Sequence, residues 1–249
     1  MKNKVTKNSK DKYRNKWTDL DVSKFWDSVS GIYIEENKKV SSIHKQRFVE
    51  AIKWIDLKGG MKLLNVSSRD SEAVDFIQPE KNNIVMINAE ISIGLINIAK
   101  RLRPNQVCIN IGSYSALPFQ NNYFDRILSL ETIEHCSDPI KFLEELYRVS
   151  KKDARLVMSC PPETSEIPYR LYTMLIGGHG EGPHRFLSSK EIKEIMLMTG
   201  WKVILHKGTL LLPIGPEIFR CYFEKIIDIF QGTFISELGI RQFYVCEKY

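Results

Sequence analysis

From residue 61 onward, short apolar runs alternate with segments whose apolar positions recur every three or four residues. The runs "MKLLNV", "NIVMIN", "QVCINI", "FDRILSL" and "RLVMSC" are too continuous for strands with one wet face. They predict strands covered on both sides. Between them, "AEISIGLINIAKRLR" predicts a helix ending at Pro104. "SDPIKFLEELYRVSKK" predicts another, with Ser137 or Asp138 as N-cap and Pro139 in the first turn. "SSKEIKEIMLMTG" carries a capping box, Ser188 with Glu191, and stops at Gly200. "WKVILH" and "RQFYVCEK" supply two closing strands. Strands alternating with helices predict an α/β fold, a mostly parallel sheet with helices on both faces.

Ahead of this pattern, "WTDLDVSKFWDSVS" predicts a short amphipathic helix. "SSIHKQRFVEAIKWIDLKGG" predicts a second, capped by Ser41 or Ser42 and stopped at Gly59–Gly60. Two stretches break the alternation and read as insertions at strand ends, residues 162–187 with "GGHGEGPHRF" and residues 209–235 with "TLLLPIGPEIFRCYFEKIIDIFQGTF". Such loops are where this architecture keeps substrate contacts. The organisation expected is a basic tail over 1–16, N-terminal helices over 17–60 and the sheet domain over 61–249.

Composition narrows the class. An apolar fraction of 43% supports a full core. Five cysteines (Cys108, Cys136, Cys160, Cys221, Cys246) are odd in number and never spaced C-x-x-C. That argues for a reducing compartment and against zinc or a disulfide framework. No apolar run approaches the ~20 residues of a membrane span, and the N-terminus has no apolar signal core. A cytoplasmic protein is expected. The net charge of +6 is uneven, because "MKNKVTKNSKDKYRNK" holds one acid among many cations. It reads as a solvated tail, the alternative being an arm that gathers phosphates of RNA or a membrane surface. It lacks the interleaved aromatics that a base-stacking surface wants.

One stretch carries a family signature: "SALPFQNNYFDRILSLETIEHCSDPIKFLEELYRVSKKDARLVMSCPPE". Leu117–Phe119, Phe124–Asp125, Glu134–His135, Asp138–Pro139 and Leu143 through Val149 follow one another in order and spacing. In this the chain resembles class I S-adenosylmethionine-dependent methyltransferases, specifically the type 11 group of small-molecule enzymes. The resemblance implies a Rossmann-like seven-stranded sheet with an antiparallel last strand, and S-adenosylmethionine bound at the carboxyl ends of the first strands. It places the ribose-binding acid at Glu90, whose two oxygens suit two vicinal hydroxyls. Glu90 also lies about 20 residues beyond the first strand-to-helix turn, the spacing of a dinucleotide-type site. Ile91, Tyr114 and Leu130 are implied as cofactor neighbours.

The departures lie in "LLNVSSRDSEA". Where the family has an acid and then alternating glycines, this chain has Asn65, Ser67, Arg69 and Ser71. Ser113 stands where an aspartate usually receives the adenine amino group. Left-handed dihedrals at a non-glycine residue cost roughly 1–2 kcal/mol, and a neutral hydrogen bond in place of a charged one loses about 1 kcal/mol. Together these weaken a ligand on the order of ten- to hundredfold. Serine hydroxyls and a helix N-terminus can receive a carboxylate, and Arg69 can pair with the one on the cofactor's methionine moiety or be an ordinary solvated turn residue.

Methyl transfer from a sulfonium is an in-line displacement, so the protein chiefly aligns the acceptor and excludes water. A base is needed when the acceptor must lose a proton, and histidine suits that task. The candidates are His135, just past the fourth strand, and His179 and His184 in the glycine-rich insertion. The expected function is methyl transfer to a small-molecule, lipid or glycan-type acceptor, on oxygen. The alternative is a catalytically inactive scaffold of the same shape. The apolar insertion over 209–235 is open to three readings: core packing, a lipid-like pocket or a homodimer face.

Overall fold

The computed structural model describes residues 11–167, 169, 180, 182–210, 217–230 and 233–249. Its seven strands are β1 (Lys62–Val66), β2 (Val85–Glu90), β3 (Val107–Asn110), β4 (Phe124–Leu130), β5 (Ser150–Cys160), β6 (Trp201–Thr209) and β7 (Arg241–Lys248). They form one sheet in the order β3-β2-β1-β4-β5-β7-β6. The first five are parallel, and β7 runs antiparallel between β5 and β6. This is the mostly parallel sheet with an antiparallel last strand that the sequence implied.

Two apolar layers sandwich the sheet, and strand periodicity divides residues between them. Leu64, Val66, Ile127, Leu156 and Met158 join one layer, with Val22, Trp26, Leu95, Leu143 and Ile195. Leu63, Leu128, Leu130 and Val157 join the other, with Phe48, Ala51, Ile55 and Ile77. The helices delivering these side chains are α1 (Asp19–Lys39), α2 (Ser41–Ile55), α3 (Ala73–Ile77), α4 (Ile93–Leu102), α5 (Pro139–Val149) and α6 (Ser189–Met198). Two more, α7 (Glu217–Ile229) and α8 (Phe234–Glu237), lie between β6 and β7 in the chain. No described helix is long and apolar enough to cross a membrane.

Local chemistry explains most boundaries. Asp138 is the N-cap of α5, its side chain accepting from the Lys141 amide. Ser188 and Glu191 form the expected capping box of α6, and Gly200 takes a φ of +89° just beyond it. Three boundaries differ from expectation. Helix α1 runs 21 residues, to Lys39, with a Thr18–Asp21 capping box. Its second half is polar on the outside, while Tyr33 is 4% exposed and anchors it inward. Helix α2 stops at left-handed Asp56, three residues before Gly59. Tyr13, read as part of the tail, is 3% exposed and donates to Glu194 at 2.5 Å. Residues 1–10 of that tail, and parts of both insertions, lie outside the described residues.

Candidate cofactor and active site

The turn after β1 keeps an unusual backbone. Ser67, Arg69 and Ser71 have φ values of +53°, +53° and +64°. Each left-handed φ costs a non-glycine residue roughly 1–2 kcal/mol. The turn is tied down by Ser68 N–H donating to the Ala89 carbonyl at 3.1 Å and Ser71 N–H to the Ser68 carbonyl at 2.7 Å. Side chains close it further. Ser67 Oγ donates to Tyr114 Oη at 3.0 Å, and the Asn65 amide donates to Asn88 Oδ1 at 2.9 Å. Ser71 Oγ lies 3.6 Å from Cys108 Sγ.

Glu90 ends β2 directly opposite this turn and is fully buried. One carboxylate oxygen accepts the Arg69 amide at 2.8 Å. The other accepts the Ile91 and Ser92 amides at 2.8 and 3.0 Å. A buried carboxylate demands such donors, and here the turn and the start of α4 supply them. The Arg69 guanidinium lies 3.7 Å from Glu90 Oε1 and 3.7 Å from the centre of the Trp26 ring. A planar cation held against an indole in a dry site is a strong form of this contact, worth about 2 kcal/mol.

Trp26 belongs to α1, a helix laid over the carboxyl edge of the sheet. Its anchors all fall beside the site. The Asp19 carboxylate accepts Ser113 Oγ at 2.5 Å and the Tyr114 amide at 2.8 Å. Ser23 Oγ donates to the Ile91 carbonyl at 3.0 Å. Asp27 accepts Ser92 Oγ at 2.6 Å and the Gly94 amide at 2.8 Å. None of these partners has a local sequence signal, since Asp19 and Ser113 are 94 residues apart. Trp26, Asp19 and Asp27 were missed for that reason.

Of the candidate bases, His135 lies against Trp26. His135 is 1% exposed, packs edge-on against Trp26 and holds the Pro183 carbonyl through Nδ1 at 3.0 Å. A carbonyl only accepts, so Nδ1 carries the proton. Burial, then the Arg69 charge, push its pKa down to about 3, leaving the ring neutral at physiological pH. His184 bonds its own strap, Nδ1 to the Gly182 carbonyl at 2.8 Å, with Nε2 3.8 Å from Glu166. His179 lies outside the described residues. Glu131, at the end of β4, accepts Ser159 Oγ at 2.6 Å and Arg241 Nε at 3.0 Å. Leu130 is 6% exposed and packs in the layer opposite α1.

Residues 73–158 match the family model described as a methyltransferase domain. Over this segment the chain is similar to the class I S-adenosylmethionine-dependent methyltransferases. Over 140 residues it is 26% identical to the demethylmenaquinone methyltransferase of Paenarthrobacter aurescens strain TC1, covering 56% of this chain and 54% of the relative. The chain thus spans about half the length of that curated relative. Among solved structures, the [4+2]-cyclase SpnF superposes with a TM-score of 0.67 at 14% identity, covering 93% of this chain and 96% of that one. Phosphoethanolamine N-methyltransferase 2 of Haemonchus contortus, solved with phosphomonomethylethanolamine and S-adenosylhomocysteine, gives a TM-score of 0.62 at 14% identity, over 91% and 60%. Likeness at that level shows the fold alone, and a cyclase stands beside methyltransferases within it.

S-adenosylmethionine is the cofactor of this family, and the site can be tested against it. Glu90 stands where the ribose anchor is expected, but both of its oxygens accept amides and Arg69 lies against it. Ser67, Arg69, Ser71 and Tyr114 are each 6% exposed or less. In this arrangement the residues do not admit an adenosyl group.

Proposed function

We propose that the chain is a methyltransferase that takes its methyl group from S-adenosylmethionine and delivers it to a small-molecule, lipid or glycan-type acceptor, most simply on oxygen. The observation carrying this reading is the left-handed turn at Ser67, Arg69 and Ser71, kept at the end of β1 beside the end of β2. The turn holds three left-handed residues without glycine's freedom, so its shape persists at a cost of about 1–2 kcal/mol per residue. A turn that had merely drifted would relax. Supporting a lipophilic acceptor, Phe219, Tyr222 and Ile229 stand 55%, 62% and 77% exposed on α7 in the second insertion, and the curated relative acts on demethylmenaquinone by its name.

In this reading the residues of the site have separate tasks. Glu90 and the turn amides form the anchor, α1 excludes water, and the strap at Pro183 and His184 borders the acceptor side through His135. Burial first, and the Arg69 charge second, push the His135 pKa down to about 3, so His135 is a weak base in this arrangement.

A specific observation supports a second reading, a non-catalytic scaffold: the guanidinium of Arg69 fills the approach to Glu90. Calorimetric titration of S-adenosylmethionine and S-adenosylhomocysteine into the full chain separates the two. Saturable micromolar binding that disappears in Glu90→Ala is the result expected of an enzyme. Undetectable binding of both compounds to the folded chain would establish the scaffold.

A further inference from the structure

A cavity of about 420 Å3 opens beyond the carboxyl ends of β3 and β4, and neither Glu90 nor Arg69 lines it. Open α/β sheets hold their ligands in crevices at that edge. One wall is the segment ahead of α1, which is tied across the β4–α5 loop. The Asn15 amide donates to the Ser137 carbonyl at 2.9 Å, and the Asn15 side chain to the Cys136 carbonyl at 2.8 Å. The Trp17 indole N–H donates to the His135 carbonyl at 2.8 Å. Burial alternates along this segment: Tyr13, Asn15 and Trp17 are buried or half-buried, while Arg14 and Lys16 are exposed. Both cations line the cavity, and Lys141 joins them from the first turn of α5.

This grouping is unfavourable in an empty cavity. None of the three cations makes an ion pair with a described residue. Lys141 stands in a first helical turn, where the helix dipole favours acids and opposes cations. Two acids also line the cavity, but the protein's own groups engage them. Asp19 is 7% exposed and accepts the Ser113 hydroxyl and the Tyr114 and Ser137 amides. Asp138 caps α5 through the Lys141 amide. The Ser115 and Ser137 hydroxyls line the cavity as well, and neither bonds a described residue. A phosphate answers these features together, because its oxygens accept charge-assisted hydrogen bonds from cations and bonds from hydroxyls. The space falls in the range of sites for small organic ligands, about 300–1,000 Å3, and Trp17 gives it an apolar wall. An RNA strand asks instead for a continuous basic track.

We propose that this cavity binds a small phosphorylated molecule, its phosphate held by Arg14, Lys16 and Lys141 and its organic body resting against Trp17. The site stands whichever way Glu90 is used, because neither Glu90 nor the turn before α3 contributes to it.

The experiment titrates phenyl phosphate, inorganic phosphate and a single-stranded oligoribonucleotide into the full chain by calorimetry. The proteins compared are the wild type, Lys141→Ala, Lys141→Arg, Lys141→Glu and the double variant Arg14→Ala with Lys16→Ala. Phenyl phosphate is expected to saturate the wild type and to bind more tightly than inorganic phosphate. Lys141→Ala should weaken it about tenfold, the double variant further, and Lys141→Arg little. Without ligand, Lys141→Glu should melt above the wild type, because it relieves the clustered charge. Phenyl phosphate should then raise the wild-type midpoint and leave that of Lys141→Glu unmoved. No saturable binding to the wild type, or equal affinity in every variant, would overturn the site. Inorganic phosphate binding as tightly as phenyl phosphate would remove the organic ligand from it. Tighter binding of the oligoribonucleotide, lost in the same variants, would replace the small molecule with a nucleic-acid backbone.

Discussion

Asp19, the first residue of α1, holds Ser113 by a 2.5 Å hydrogen bond across 94 residues of sequence. A carboxylate is thus present at that edge of the sheet, and it arrives from the covering helix. The same side chain, 7% exposed, accepts the amides of Tyr114 at 2.8 Å and Ser137 at 3.1 Å.

Removing it leaves two buried or half-buried amides unpaired and detaches the start of α1. Hydrogen bonds to charged groups contribute about 1.5–3 kcal/mol each and are not additive. Asp19→Ala is therefore expected to lower stability by about 3 kcal/mol, read as a fall in the urea midpoint with an unchanged slope. An unchanged midpoint would show that α1 is not fastened here.

Two buried imidazoles set the acid response. Burial and the Arg47 charge bring the His44 pKa down to about 4, against the opposing pull of Glu72. Burial and Arg69 bring His135 to about 3. An unfolded histidine titrates near 6.5, so below that pH the unfolded chain binds protons that the folded chain refuses. Stability is then lost as pH falls from about 6.5 toward 4, by up to roughly 1.4 kcal/mol per pH unit for each imidazole. Urea midpoints at pH 7 and pH 5 should differ accordingly, and His135→Gln should reduce the difference by about half. Equal midpoints in the wild type would mean that these rings reach solvent.

The sheet was readable because both of its faces are covered, so the strands stand out as apolar runs. All seven expected strands are present in order. Asp138 and the Ser188–Glu191 box were readable because capping is local chemistry. Local signals fail for α1, whose end at Lys39 is decided by Tyr33 packing inward, and for Tyr13, whose burial depends on Glu194. In the candidate site, the turn, Glu90 and His135 could be named from spacing and resemblance. The arrangement around Arg69 could not, because a solvated turn arginine and a buried one read alike. Only the approach of Trp26, 43 positions earlier, distinguishes them.

On the far side of the sheet, Lys207 is buried between Glu50 Oε1 at 2.8 Å and Asp228 Oδ1 at 2.7 Å. Glu50 is 2% exposed and also receives Lys53 and the Trp54 indole N–H. Taking away one partner of a buried pair strands the other, a loss of about 3–5 kcal/mol. Lys207→Met should fall in that range by chemical denaturation, and Lys207→Met with Glu50→Gln should recover part of it. Additive losses would indicate that the two side chains do not act together. Because this network ties α2 to β6 and α7, its loss should also loosen the second insertion, measurable as faster hydrogen exchange over 217–229.

The left-handed turn can itself be tested at Ser71, where the φ is +64° and the side chain is fully buried. Its hydroxyl makes a long contact to sulfur, so little is lost by deleting it. Glycine relieves roughly 1–2 kcal/mol of left-handed strain and adds about 0.5–1 kcal/mol of unfolded-state entropy. Ser71→Gly is expected to be as stable as the wild type or better, by up to about 1 kcal/mol. Ser71→Ala keeps the strain and should sit slightly below the wild type. Ser71→Val adds branching that this region of dihedral space excludes, and should lose about 2 kcal/mol or more. The diagnostic is the order glycine, serine, alanine, valine in thermal midpoints. If valine matches serine, the turn is not left-handed at this position, and the backbone evidence for a retained cofactor turn disappears.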